Sequence, residues 1–291
     1  SKNFSQAKNK KFDTIFFCGV PAVKWYANKN PKEDNKIIEN IISILETIQV
    51  KKFILISTID VYDKIAKHYD EDYIIDYNNN HTYGKNRFLF EEYIKHKFND
   101  YNIIRLPGLF GKGLKKNLIY DLINKNNINE IPYNSKFQWY YLDWLKKDID
   151  IVLINNIKIC NFFTEPINTC SIISSFKKVY GIDYESQIEY LGTNNNKINY
   201  NTCSKYSHLF RSDHKYIRSS VEILNAISEY LHFEKLDKSK LCISNICVNK
   251  LSQIQFASLV KLFGIKNIQV APTKLIGSWN NLELLDLNIY E

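Results

Sequence analysis

Three stretches of this 291-residue chain stand out: Thr58 and Tyr83, whose hydroxyls can move a proton, the latter with Arg87, and the Arg-Leu-Pro-Gly-Leu-Phe-Gly run at 105–111. Tyr83 and Arg87 stand four residues apart, so on a helix both project from one face. A tyrosine held beside a fixed cation has its phenolate favoured. The spacing therefore predicts a phenol pulled from about 10 toward neutrality and able to take a proton from a hydroxyl. Thr58 ends an apolar run and can hydrogen-bond the same hydroxyl. A Tyr-x-x-x-Arg pair alone means little; the surrounding order of elements gives it weight.

Those elements read as follows. Thr14–Cys18 and Phe53–Ser57 are short apolar strands, and Asn102–Leu106 is a third. Ile37, Ile38, Ile41, Ile42, Leu45 and Ile48 recur at helical spacing over about Asp34–Gln49. A second helix runs from about Thr82, read as its N-cap, to Phe98, with Phe90, Ile94 and Phe98 on one face. Strands without polar alternation, separated by helices, predict an α/β fold with a parallel sheet covered on both faces. Ligands of such sheets bind at the C-terminal strand ends, where Thr58 falls. Further on, the pattern predicts a helix at about Asn117–Asn124, a strand at Phe137–Tyr141 and a helix at Trp144–Asn155. A strand at Ile157–Phe163 follows, then helices at Ile172–Tyr180 and Ser219–Leu231, with Asn194–Asn201 as a loop.

Composition narrows the classes. Hydrophobic residues make up 45% and charged residues 24%, ordinary for a globular chain, and no apolar run reaches membrane-spanning length. The first residues are polar and basic, unlike a secretory signal, which predicts a cytoplasmic location. Six cysteines show no Cys-x-x-Cys pair, so reduced thiols and no metal site are expected. The net charge of +8 comes from scattered lysines without a basic stripe, so no nucleic-acid partner is expected. His68, His81 and His96 read as structural or solvent-facing, and Asp60 and Asp63 as turn-forming carboxylates.

Strand, Ser-Thr-x-x-Val-Tyr, loop, Tyr-Gly-Lys-Asn-Arg helix, strand and Pro-Gly, in that order, resemble the catalytic half of the extended short-chain dehydrogenase/reductases, the NAD-dependent epimerases and dehydratases. The resemblance covers about residues 12–233. It implies a Rossmann-like NAD(P)-binding domain over residues 1–235, with NAD or NADP as cofactor and a sugar or nucleotide-sugar as substrate. It assigns Thr58 and Tyr83 to a hydroxyl relay and places Arg87 where the family carries lysine. Cys18, Gly19, Val20 and more weakly Lys24 fall beside the cofactor's ribose and phosphates, with Tyr83, Arg87, Pro107, Gly108 and Leu109 against the nicotinamide end. Lys115, Lys116 and Asn117 fall on the substrate side. A homodimer is the assembly it allows. The family opens with a glycine-rich phosphate loop, which nothing before Thr58 supplies. The expectation is an N-terminally truncated domain, inactive by itself, lacking the first strands of the sheet. Gly108–Gly113 does not replace that loop, because its Gly-x-x-Gly-x-Gly spacing is reversed from the fingerprint.

After the charged link at Glu234–Lys240 the pattern restarts, with strand Leu241–Ile246, helix Leu251–Phe263 capped by Gly264, and strand Ile268–Ala271. Ile-Ser-Asn at 243–245 and Ala-Pro-Thr-Lys at 271–274 resemble the opening of xylose-isomerase-like TIM barrels. Residues 240–291 are too few to close a barrel of about 250 residues, so an incomplete segment is expected. Three functional readings stand: an epimerase or dehydratase, a reductase using the same relay, and a noncatalytic dinucleotide-sensing or scaffold protein that keeps the fold. A sugar isomerase activity housed in the C-terminal region is a further possibility.

Overall fold

The computed structural model describes residues 4–184, 197–210, 212–236, 242–244, 251–265 and 267–269. The chain divides into two units, Ser1–Leu231 and His232–Glu291.

The first unit is built on a four-stranded parallel sheet. Its strands are β1 (Lys11–Phe17), β2 (Gln49–Thr58), β3 (Tyr101–Leu106) and β7 (Ile159–Asn161), in the order β1-β2-β3-β7. Between β1 and β2 lie α1 (Lys24–Lys29) and α2 (Pro31–Leu45); α3 (Thr82–Lys97) joins β2 to β3. Pro31 at the first turn of α2, followed by Glu33 and Asp34, suits a helix N-terminus both in backbone angle and in charge.

Side chains alternate across the sheet as the strand period requires. Phe53, Leu55 and Ile103 join Ile38, Leu45, Phe90 and Ile94 on the face covered by α2 and α3. Ile54 and Ile104 turn to the other face, where they meet Ile149 and Val152 of α5 (Leu145–Ile154). Phe53 stacks on Phe98 with ring centroids 4.5 Å apart. The sheet is thus covered on both faces at β2 and β3. At β1 the cover thins: Phe16 is 58% exposed, and the outer edge of the strand has no partner among the described residues.

Beyond β3 the chain builds a second core. Strand β4 (Gly108–Phe110) pairs parallel with β6 (Trp139–Tyr141), and β5 (Lys136–Phe137) pairs antiparallel with β8 (Ile167–Asn168). The single strand expected over Phe137–Tyr141 is therefore two. Gln138 divides them, because its buried amide donates to the carbonyls of Thr164 and Thr202 and accepts from the Thr202 N–H and hydroxyl. Helices α4 (Leu118–Asn124), α6 (Thr169–Tyr180) and α7 (Ser220–Lys235) pack Ile119, Ile172, Phe176 and Ile227 around Phe110 and Trp139.

The second unit holds β9 (Cys242–Ser244), α8 (Gln253–Phe263) and β10 (Asn267–Gln269), with β9 and β10 parallel. Ser252 and Gln255 form a reciprocal capping box at the start of α8, and Gly264, at φ +66°, caps its end. Asn245 and the Ala271–Lys274 run lie outside the described residues, as do 194–196 of the asparagine-rich tract and 237–240 of the charged link. No described helix is long and apolar enough to cross a membrane.

Candidate active site

A cleft of about 630 Å³ opens at the C-terminal ends of β1, β2 and β3. Its walls include Cys18, Val20, Lys24, Thr58, Asp60 and Tyr83 on one side. Pro107–Leu109, Lys112, Lys115, Lys116 and Asn117 line the other.

Thr58 is the last residue of β2. Its Oγ1 accepts the Asp60 N–H at 3.2 Å, which turns the chain into a single 3-10 turn over Ile59–Val61. Tyr83, on the first turn of α3, is 6% exposed, and it lines the same cleft as Thr58. The helix reaches this position because residue 84 is glycine: a Cβ there would stand 2.0 Å from the Asp60 carbonyl. The N-cap is His81, not Thr82. Its Nδ1 accepts the Gly84 N–H at 3.0 Å, and Thr82 is the first helical residue.

The electrostatics correct the expectation for Tyr83. Burial pushes the phenol above its ordinary value; Arg87 pulls against that without overcoming it, and Asp60 adds to the rise. Arg87 lies over the face of the Tyr83 ring, 4.0 Å from its centroid, and not beside the hydroxyl. Its Nη1 and Nη2 donate to the two oxygens of Asp34 at 2.5 and 2.8 Å, and Nη2 also donates to the Pro21 carbonyl at 2.6 Å. Asn86 donates to the same carboxylate at 2.8 Å. Asp34 and Arg87 are 3% and 4% exposed, so the charge that sequence reasoning assigned to Tyr83 ties α2 to α3 instead.

Asp60, expected to form a turn, sits in the cleft. One carboxylate oxygen accepts from Lys24 Nζ at 2.7 Å and from the Tyr200 hydroxyl at 3.0 Å. Lys24 is thereby ion-paired at the wall and also reaches Tyr200 at 3.2 Å. Sequence reasoning missed Asp34 and Tyr200, which belong to no local pattern. Asp60 carried one signal, its position two residues past Thr58.

Behind the cleft a second buried pair joins the three elements that carry it. Arg105 of β3 donates to Glu91 of α3 through Nε and Nη2, the shortest bond being 2.7 Å. The Ser57 hydroxyl donates to the same carboxylate at 2.5 Å. Glu91 and Arg105 are 0% and 2% exposed. Through Nη1, Arg105 also donates to the Tyr62 hydroxyl at 3.0 Å, which itself accepts from Asn161.

On the far wall, Lys115 and Lys116 are exposed, and Lys116 Nζ donates across the cleft to the Ala22 carbonyl. Asn117 caps α4 by accepting the Ile119 and Tyr120 N–H groups, and its amide donates to the Leu109 carbonyl at 2.7 Å. No group of three or more His, Cys, Asp or Glu side chains suited to a metal occurs among the described residues.

Residues 6–128 match the model of a family described as NAD(P)H-binding. No curated protein matches the sequence. Among solved structures, the chain resembles UDP-glucuronic acid 4-epimerase from Bacillus cereus, in complex with UDP-glucuronic acid and NAD, at 18% identity over 75% of each chain, with a TM-score of 0.54. It also resembles RMD from Pseudomonas aeruginosa complexed with NADPH, at 12% identity over 76% of this chain and 82% of that one, TM-score 0.54. A dTDP-4-dehydrorhamnose reductase from Clostridium acetobutylicum aligns at 14% identity over 77% and 81%, TM-score 0.53. These likenesses establish the fold, a Rossmann-like α/β sheet.

Val20, Pro107 and Leu109 give the cleft apolar surface, and the side chains of Thr58 and Tyr83 line it as well.

Proposed function

We propose that this domain serves an NAD(P)-dependent sugar or nucleotide-sugar enzyme of the epimerase/dehydratase type, with Thr58 and Tyr83 as its hydroxyl relay. The observation that carries the reading is that both side chains line one cleft of about 630 Å³ at the C-terminal edge of a parallel sheet. Tyr83 exchanges a proton with a substrate hydroxyl, and Thr58 holds that hydroxyl in place. When bound, the nicotinamide supplies the hydride acceptor or donor. Pro107–Leu109 and Val20 would hold it against the relay, and Lys24 would stand near its ribose. Arg87 acts through Tyr83, by fixing the ring from its face. Lys115, Lys116 and Asn117 form the substrate side, where two exposed ammonium groups suit a diphosphate.

The state of Tyr83 favours a second reading, a reductase. A phenol kept neutral by burial is prepared to give a proton to a carbonyl oxygen that is gaining hydride, more than to remove one from an alcohol.

Turnover of NAD(P)H-linked reactions with a panel of nucleotide-sugars and their 4-keto derivatives tests both readings. Interconversion of epimers, or loss of water, supports the first; net oxidation of NAD(P)H supports the second. Bound NAD(P)H with no turnover that depends on Tyr83 would leave a noncatalytic dinucleotide-sensing or scaffold role.

A further inference from the structure

Asp60, Lys24 and Tyr200 meet inside the cleft, yet the proton exchange between Tyr83 and a hydroxyl uses none of them. They come from three separate parts of the chain. Lys24 opens α1, Asp60 lies in the 3-10 turn after Thr58, and Tyr200 stands 140 residues beyond Asp60.

Backbone contacts place Tyr200. Its N–H donates to the Lys136 carbonyl at 2.9 Å, and its ring packs on Phe137 with centroids 5.5 Å apart. The residues that follow are tied to the loop after Val61. The Asn201 N–H donates to the Ile65 carbonyl at 2.6 Å and the Cys203 N–H to the Tyr69 carbonyl at 2.9 Å. Glu71, on the same loop, accepts the Ser204 hydroxyl at 2.6 Å and the Lys205 N–H at 2.9 Å. A side chain anchored in this way presents its hydroxyl at a fixed point.

The directions of the hydrogen bonds decide what the three groups offer a ligand. Tyr200 donates its single proton to Asp60 Oδ1 at 3.0 Å and accepts from Lys24 Nζ at 3.2 Å. Burial and the adjacent carboxylate push its phenol up, so that proton stays in place. Lys24 gives another N–H to the same Oδ1 at 2.7 Å, where its charge is matched. Oδ2 of Asp60 accepts no hydrogen bond among the described residues. It is not sealed off: the side chain is 13% exposed and lines the cleft. Its charge also reaches the relay, where it adds to the rise of the Tyr83 phenol.

A carboxylate oxygen with unused lone pairs accepts from a hydroxyl, and charge-assisted bonds of that kind are short and strong. It repels a second carboxylate, because two such groups in one poorly hydrated site cannot both ionise without cost. With one hydroxyl of a hexose at the relay, the other substituents of the ring lie within a few ångströms of it.

We infer that Asp60, oriented by Lys24 and Tyr200, is a specificity-determining residue that accepts a second hydroxyl of the sugar and excludes sugars carrying a carboxylate. The inference rests on the nucleotide-sugar reading and narrows it to neutral sugars.

Calorimetric titration of the chain with two matched pairs tests it: UDP-glucose against UDP-glucuronate, and GDP-mannose against GDP-mannuronate. Within a pair the nucleotide is shared, and only the terminal carbon of the sugar changes from alcohol to carboxylate. At about pH 7.5 the neutral member of whichever pair binds is expected to be tighter by about tenfold or more. Asp60→Asn keeps the shape of the side chain and an acceptor for Lys24 and Tyr200 but removes the charge. It is expected to bring the two members within about threefold of each other, chiefly by tightening the uronate. Tyr200→Phe unpins the carboxylate and leaves its charge, so the neutral sugar should weaken several-fold while still binding more tightly than the uronate. Circular dichroism verifies the folding of each variant, and the parental comparison stands by itself if one fails to fold. Equal or tighter uronate binding by the parent would overturn the assignment, as would binding of neither pair or a preference that survives Asp60→Asn. Such a result together with Tyr83-dependent turnover would fall on Asp60 alone; turnover indifferent to Tyr83 with the charge preference intact would fall on the relay.

Discussion

Arg87 touches Tyr83 through the face of its ring, 4.0 Å from the centroid, while its guanidinium is bound bidentately to Asp34. The cation is in place, yet its charge is shared with a carboxylate and its donors point away from the phenol. Arg87→Lys is accordingly not a neutral exchange. Lysine keeps the charge but loses the fork that holds both Asp34 oxygens and the Pro21 carbonyl. We expect a stability loss of about 1–3 kcal/mol in denaturant unfolding, and about 3–5 kcal/mol for Asp34→Asn, which strands a buried cation. Unchanged midpoints for both variants would show that the pair does not tie α2 to α3.

Tyr83→Phe removes the proton carrier and keeps the ring that Arg87 covers. Turnover should fall about 10²–10⁴-fold with folding preserved. Thr58→Ala should cost less in turnover. It also removes the acceptor for the Asp60 N–H, at about 0.5–2 kcal/mol of stability. Full turnover by Tyr83→Phe would exclude the relay.

His81 gives the site a pH dependence of known sign. Burial first, then the charge of Lys24, holds its imidazole below the ordinary value, although Asp60 pulls the other way. Its Nδ1 must stay unprotonated to accept the Gly84 N–H. The unfolded chain therefore binds more protons than the folded one just below about pH 6.5. Stability from this group is fully present above that pH and is lost as the pH falls through the lowered folded value. His81→Asn keeps a capping side chain without a titrating group, so its thermal midpoint should fall less between about pH 7.5 and about pH 5.5 than that of the parent. Parallel curves would show that the cap does not titrate.

Gly84→Ala places a methyl group 2.0 Å from the Asp60 carbonyl, which belongs to backbone and cannot rotate aside. The first turn of α3 must then move, carrying Tyr83 with it. Loss of several kcal/mol of stability, together with loss of turnover, is expected. Parental unfolding behaviour in the Gly84→Ala variant would mean that α3 can shift without cost.

Glu91→Gln halves a buried pair that also holds Ser57. Breaking such a pair costs about 3–5 kcal/mol. Because Ser57 precedes Thr58 and Arg105 lies two residues before Pro107, the variant should also impair Tyr83-dependent turnover. Unfolding midpoints and turnover measured on the same preparation check both effects.

Most of the framework was legible in the sequence, because it depends on local periodicity. Apolar runs at Phe53–Leu55 and Ile103–Leu106 could only be buried strands, and Ile38, Ile41 and Leu45 could only form one helix face. Strand ends and helix starts then place Thr58 and Tyr83 at the same edge of a parallel sheet. Capping residues blurred by one position, as at His81 and Thr82, since either side chain can accept an N–H and only the backbone angles choose. The division of the strand at Gln138 was not legible, because its partners Thr164 and Thr202 are far along the chain.

The sequence by itself determined which side chains could do chemistry and that Tyr83 and Arg87 would share a helix face. Tertiary structure alone decided what their charges do. Asp34 arrives from another helix and takes the guanidinium; Asp60 is held in the cleft by Lys24 and by Tyr200, 140 residues away. The ionisation of a buried group is set by the groups that surround it and by the water it has lost, and neither is a property of neighbours along the chain.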